Sequence, residues 1–322
     1  MFSLQIVEPG RSAWVEVPTP QPLDHEILIR VQAVTSCPHW DIHIMDGEPM
    51  FPGMTLEYPY RLGNPGHEAV GEVVALGQGV SRIKVGDRVV AWRDTGQPRP
   101  GFYAQYNTFH EDDVLVVPSH LKHEEIASLE LAMCVEVSFQ QLEVLGGIKG
   151  RSIGISGLGP AGLVAVQLAK AHGAGEVVGF DPMPERRDLA HYLGADRVIC
   201  PLTEPFPASR STHALDDAID MTGLPASIEY LMDRTRRAVL LFGVLREQVR
   251  FGSQHLFGPG LTLMGYGDHN RQAAETSLEF ILGGQLSLAP LISETRSFRE
   301  YGEAVDRLRK KQAIKIMFDP WL

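Results

Sequence analysis

Residues 153–162 read Ile-Gly-Ile-Ser-Gly-Leu-Gly-Pro-Ala-Gly, an apolar strand pattern that runs into Gly-x-Gly-x-x-Gly and opens a helical stretch. Each glycine has its own physical reason. Gly157 permits the tight strand-to-helix turn, Gly159 lets the backbone approach a pyrophosphate, and Gly162 allows close helix–strand packing. The helix N-terminus adds the positive end of its dipole. Asp181 ends the next apolar run, 24 residues after Gly157. A carboxylate about 20 residues on accepts from the adenosine ribose hydroxyls, and its charge repels a 2′-phosphate. The segment therefore predicts a dinucleotide site that favours NAD over NADP. Gly157, Leu158, Gly159, Pro160, Ala161, Gly162 and Asp181 are its candidate contacts, and Arg186 nearby softens the discrimination.

The surrounding sequence alternates. Strand patterns fall at Ser152–Ser156, Glu176–Phe180, Arg197–Cys200, Asp217–Asp220, Ala238–Val244 and Leu261–Gly265. Helical patterns fall at Pro160–His172, Glu185–Leu193, Ala226–Arg236 and Arg271–Leu282. Apolar strands alternating with helices imply an α/β domain with a doubly wound parallel sheet. Thr222, Gly223, Gly243 and Val244 sit at strand carboxyl ends, where ligands bind in such sheets. They are candidates for the nicotinamide half of the cofactor, although each alone also reads as a turn. Ser138, in the helical stretch before the glycine motif, completes the cofactor candidates.

Residues 1–130 have a different rhythm. Short alternating runs such as Glu26–Val34 and Glu72–Leu76 lie between Gly- and Pro-containing turns, the pattern of a barrel-like β module. The tail, with a helix over Phe298–Arg309 and a strand over Ala313–Phe318, is expected to pack back on that module. The expected organisation is a catalytic domain of 1–135 and 270–322 around a dinucleotide-binding domain of 136–269.

A net charge of −11 over 322 residues argues against a phosphate-backbone partner, because nucleic-acid affinity comes from clustered Lys and Arg. No run of about 18 apolar residues exists, so no membrane partner is expected. The start, Met-Phe-Ser-Leu-Gln-Ile-Val-Glu, has no basic region typical of a signal peptide. Three cysteines, Cys37, Cys134 and Cys200, are too few for a disulfide framework and suit a reducing cytoplasm.

Zinc takes Cys, His and carboxylate ligands, and a catalytic site leaves one position open. Cys37, His67 and Cys134 would make such a set, with Glu68 adjacent as a further or exchanging ligand. Spacing alone does not select them, and by itself Cys134 reads as a core cysteine.

The stretch Gly66-His-Glu-Ala-Val-Gly-Glu-Val-Val-Ala-Leu-Gly-Gln-Gly-Val-Ser-Arg-Ile-Lys-Val-Gly-Asp-Arg-Val89 resembles the zinc alcohol dehydrogenases of the medium-chain dehydrogenase/reductase superfamily. So do Gly157-Leu-Gly-Pro-Ala-Gly-Leu, Leu193-Gly-Ala-Asp196 and Leu291-Ile-Ser with Ala313-Ile-Lys-Ile, over nearly the whole chain. The resemblance implies a GroES-like β-barrel catalytic domain beside a Rossmann domain. It places one catalytic zinc at Cys37, His67 and Cys134. It also implies a homodimer or homotetramer that acts on a small-molecule alcohol or ketone. Trp92–Tyr106 carries none of the four cysteines that hold the family's structural zinc, so that zinc is not expected.

The family's Cys-x-x-Asp-x-His is here Cys37-Pro-His-Trp-Asp41-Ile-His43, one residue longer, and the hydroxyl that takes the alcohol proton is missing. His39 is the candidate first relay member, because imidazole both donates and accepts near neutral pH. His43 is a later member, and Asp41 an orienting group. Glu48–Leu62 is expected to shape the substrate mouth. The function implied is NAD-linked, zinc-dependent oxidation of a secondary alcohol, polyol or cyclitol, or the reverse. The alternatives are a zinc-free NADPH-dependent quinone or enone reductase of the same superfamily, and a catalytically retired binding protein.

Overall fold

The structure, a computed structural model, describes residues 1–94, 99–257 and 260–322. In chain order the elements begin with β1 (Phe2–Glu8), β2 (Arg11–Glu16), β3 (Glu26–Thr35), α1 (Pro38–Asp46), β4 (Glu68–Leu76) and β5 (Arg88–Ala91). Next come β6 (Tyr106–His110), β7 (Val114–Val116), α2 (His123–Ile126) and α3 (Leu129–Val144). Then follow β8 (Ser152–Ser156), α4 (Pro160–Ala171), β9 (Glu176–Phe180), α5 (Pro184–Tyr192), β10 (Arg197–Ile199) and β11 (Leu215–Asp220). The chain continues through α6 (Pro225–Met232), β12 (Thr235–Leu241), α7 (Ser253–Leu256), β13 (Thr262–Gly265) and α8 (Arg271–Leu282). It closes with β14 (Ile292–Ser297), α9 (Tyr301–Arg309) and β15 (Lys315–Asp319).

The chain divides into two compact units, 1–131 with 288–322, and 132–287. The second break falls later than the expected 269/270. Helix α8 buries Ala273, Ala274, Ser277 and Ile281, and Phe280 meets the His172 ring at the end of α4. The backbone of Ser287 exchanges hydrogen bonds with the Gln167 side chain. These contacts place α8 in the dinucleotide unit.

In the first unit β3 is the organising strand. It pairs antiparallel with β4 from Ile27↔Leu76 to Thr35↔Glu68, with β6 through its first half, and with β15 at its end, where Met317 meets Thr35. The tail thus packs back on this unit as its sequence suggests. Ile27, Ile29 and Val31 of β3 bury into one core with Phe298, Tyr301 and Phe318 from the tail. The Thr35↔Glu68 register has a functional consequence. It brings the residue two beyond β3, Cys37, beside the one just before β4, His67.

The second unit holds a six-stranded sheet in the order β10-β9-β8-β11-β12-β13, with every pairing parallel. The strand order reverses between β8 and β11, so the crevice at their carboxyl ends is the switch point where dinucleotides bind. Two boundaries differ from the sequence reading. Helix α6 ends at Met232, not Arg236, and β12 begins at Thr235. Arg237 has joined the strand, where its guanidinium pairs with the buried Asp217 of β11. Gly243 and Val244 consequently lie past the strand end.

Candidate active site

Cys37 is the N-cap of α1, in extended backbone with Pro38 at the first helical position. Proline fits there because its missing N–H would have no intrahelical partner. The ligand atoms of Cys37, His67 and Glu68 all lie within 4.8 Å of one another. His67 Nδ1 is 2.7 Å from the Pro65 carbonyl oxygen. A carbonyl only accepts, so Nδ1 carries a proton and Nε2 is turned to the cluster, the orientation used by metal-binding imidazoles.

His67 Nε2 stands 3.8 Å from Glu130 Oε2 and 4.0 Å from Glu68 Oε1. Burial lowers the proton affinity of His67. The hydrogen bond with Cys37 and the charges of Glu130 and Asp94 outweigh that effect and hold the ring well above its ordinary range. A buried concentration of negative donors around an imidazole is an environment that suits a cation. Its thiol, imidazole and carboxylate are zinc's ligand types, so the residues present fit that metal.

Glu68 is already engaged. Lys315 Nζ donates to both its oxygens at 2.7 Å, and Thr35 Oγ1 donates to Oε2 at 3.0 Å. Lys315 is wholly buried. The pair ties β4 to β15 directly behind His67 and makes Glu68 a support more than a ligand. Glu130, on the first turn of α3 and 4% exposed, was missed in the sequence. The available signal was an acid one helical turn before Cys134, on the same face. Cys134 belongs to the second unit, where its Sγ lies 3.5 Å from His269 Nε2.

The segment after Cys37 is the helix α1. Its spacing separates the two relay candidates from Asp41. His39 and His43 share a face, with ring centroids 6.1 Å apart, and His39 is exposed. His43 Nδ1 is 3.6 Å from Glu48 Oε2. Asp41, expected as an orienting group, lies in the core. It is wholly buried and accepts from Tyr103 Oη at 2.8 and 3.0 Å and from Tyr301 Oη at 2.8 Å. Burial pushes its carboxyl up to about 6 against the lowering effect of both tyrosines, His67 and Lys315. It is a core acid that pins α1 to the tail. In Glu48–Leu62, Met50 and Tyr60 are buried, and Phe51, edge-on to Trp40, is the exposed large hydrophobic of the segment.

The dinucleotide candidates converge at the switch point. Gly157 adopts φ +87°, and a Cβ there would lie 2.5 Å from Thr222 Cγ2. A Cβ on Gly162 would stand 1.9 Å from the Gly157 carbonyl oxygen. At Gly159 it would meet nothing within 4 Å, so that side of the loop is open. Asp181 Oδ2 accepts from Leu158 N at 2.9 Å and Oδ1 from Met183 N at 2.8 Å. Each oxygen keeps a lone pair for a ribose hydroxyl. Arg187, not Arg186, wraps the Asp181 backbone, donating to its carbonyl at 2.8 Å. Burial lowers the Arg186 guanidinium, against Asp181 and Glu185. The Ser138 hydroxyl is buried with no partner. A native buried donor of that kind calls for a missing one. These features fit a dinucleotide.

Residues 23–119 match the Alcohol dehydrogenase GroES-like domain family and residues 160–282 the Zinc-binding dehydrogenase family, together more than half of the chain. L-threonine 3-dehydrogenase of Pyrococcus horikoshii is 29% identical over 99% of this chain and 98% of its own length. An alcohol dehydrogenase of Geobacillus stearothermophilus is 28% identical, covering 92% of each chain. The crystal structure of 2R,3R-butanediol dehydrogenase from Bacillus subtilis superimposes with a TM-score of 0.86 at 21% identity, covering 99% of both chains. The chain belongs to the zinc-containing medium-chain dehydrogenase/reductase superfamily. No helix among the described residues is long and apolar enough to cross a membrane.

Proposed function

We propose that this protein is a zinc-dependent, NAD-linked dehydrogenase that oxidises a secondary alcohol, polyol or cyclitol to a ketone, or runs the reverse reaction. The observation that carries the reading is the meeting of Cys37, His67 and Glu68, with the Glu130 carboxylate 3.8 Å from His67 Nε2 in the same unit. Cys37, His67 and Glu130 hold the metal. Glu130 takes the place the sequence reading gave to Cys134, because its carboxylate faces His67 Nε2 within the same unit. Glu68, neutralised by Lys315, holds β4 in place behind the ligands.

When bound, zinc would supply Lewis acidity at Cys37, His67 and Glu130, and a nicotinamide in the glycine-loop crevice would supply hydride chemistry. The chain's own residues do the rest. Pro65 fixes the His67 tautomer, and Lys315 keeps the Glu68 charge from dominating the site. His39, at the exposed N-terminal end of α1, takes the alcohol proton and passes it to water or to His43. Asp181 receives the adenosine ribose, which favours NAD. One zinc per chain is the reading, since a four-cysteine set for a structural zinc has no counterpart among Cys37, Cys134 and Cys200. A zinc-free reductase would have no use for a buried thiol–imidazole–carboxylate cluster.

We further infer a homodimer built on β13, one of the two edge strands of the second sheet.

The test is NADH formation by purified protein over a panel of secondary alcohols, polyols and cyclitols. Cys37→Ser should lower turnover by about a thousandfold or more, since it removes a metal ligand. Undiminished activity in that variant, or after zinc is stripped, would refute the reading.

A further inference from the structure

Asp220 ends β11 directly across the switch point from Ser156 of β8, and it is wholly buried. Its Oδ1 accepts from Thr222 Oγ1 and Ser227 Oγ, each at 2.7 Å. Its Oδ2 accepts from Thr222 N at 3.2 Å and Gly223 N at 2.7 Å. Its backbone carbonyl takes Phe242 N and Gly243 N, both at 3.0 Å. Ser227 Oγ in turn lies 2.7 Å from Ser156 Oγ, and Met221 N donates to the Ser156 carbonyl at 2.8 Å. One residue thus ties together the carboxyl ends of β8, β11 and β12.

All four donors to the Asp220 carboxylate are neutral, and among the described residues no cation lies within ion-pairing distance of it. A buried carboxylate without a countercharge is costly. What it secures is geometry. Thr222 and Gly223 form a turn with four donors gathered on one acceptor group, and the Thr222 methyl backs directly onto Gly157. The turn and the glycine loop are the two walls of the crevice.

We propose that Asp220 is a positioning residue for the dinucleotide: it clamps the Thr222–Gly223 turn against the glycine loop and so sets the crevice that receives the nicotinamide half of the cofactor. The proposal rests on the dinucleotide reading above. It acts through shape. An asparagine keeps one oxygen for the two backbone N–H groups, and its amide can donate to the Thr222 and Ser227 hydroxyls, which also accept.

The experiment titrates zinc-replete wild type, Asp220→Asn, Asp220→Ala and Thr222→Val with NADH and, separately, with AMP. AMP reports the adenosine half held near Asp181, on the far side of the loop. Asp220→Ala should weaken NADH by about tenfold or more, because a small misplacement costs orders of magnitude. AMP should stay within about twofold and Asp220→Asn within about threefold of wild type. If Asp220→Ala fails to fold, Thr222→Val, which removes one clamp donor, should weaken NADH about threefold with AMP unchanged. NADH binding unaltered in the alanine or valine variant, or NADH and AMP lost in parallel, overturns the proposal. Wild type that binds neither NADH nor NADPH would instead refute the dinucleotide reading itself.

Discussion

At the scale of single residues, Asp41 shows how burial changes a group's meaning. Its carboxyl titrates near 6 in the folded protein, against about 3.9 in an unfolded chain. The folded state therefore holds the proton more firmly. The stability this contributes is fully present below about pH 4 and is lost as pH rises through about 6. Two pKa units correspond to about 3 kcal/mol. Asp41→Asn keeps the shape and removes the titration. Urea unfolding at pH 4 and pH 7.5 should show the wild type losing about 2–3 kcal/mol relative to that variant. A difference that does not change with pH contradicts the assignment. The role of Asp41 was not legible in the sequence, because its donors Tyr103 and Tyr301 lie 62 and 260 residues away. Glu130 was missed for the same reason, since only the fold brings its carboxylate to His67.

At the scale of elements, periodicity carried most of the information. The glycine loop, its flanking strand and helix, and the alternating strands of the second sheet were readable because each has one apolar period and a turn signal. The α6–β12 junction was misplaced because Arg234, Thr235, Arg236 and Arg237 are polar, and what draws the last into a strand is a partner on β11. The Cys37–His43 stretch is one residue longer than the family pattern it resembles. Read as a helix, its four-residue spacing pairs His39 with His43 and sends Asp41 into the core. The packing role of Gly162 gives a direct test. A Cβ there would collide with the Gly157 carbonyl, so Gly162→Ala must push α4 off β8. The expected result is a loss of about 1–3 kcal/mol in stability with a loss of NADH affinity of about tenfold or more. Affinity unchanged in a folded Gly162→Ala protein would show that the loop does not hold the cofactor.

At the scale of the whole molecule, the proposed function assigns the metal to one unit and the dinucleotide to the other. The first gathers Cys37, His67 and Glu130 from three elements, and the second builds the crevice around Gly157, Asp181 and Asp220. The outer edge of the second sheet bears on assembly. Leu263 of β13 is 41% exposed, and Phe251, Leu256 and Phe257 nearby in sequence are exposed as well. An exposed apolar edge strand is a template for another copy. Leu263→Lys should shift the protein from dimer toward monomer by light scattering, and an unchanged mass would remove β13 from the interface. The dimer was expected only from resemblance, and the sequence alone could not show which face of β13 stays uncovered.

The central claim is that a zinc ion is held by Cys37, His67 and Glu130. Zinc content per chain, measured on purified wild type, Glu130→Gln and Cys134→Ser after dialysis against a mild chelator, tests it most directly. The account predicts one zinc in wild type and in Cys134→Ser, and near-complete loss in Glu130→Gln, as expected when one of three protein ligands is removed. Zinc retained by Glu130→Gln and lost by Cys134→Ser would contradict it and return the third ligand to the cysteine.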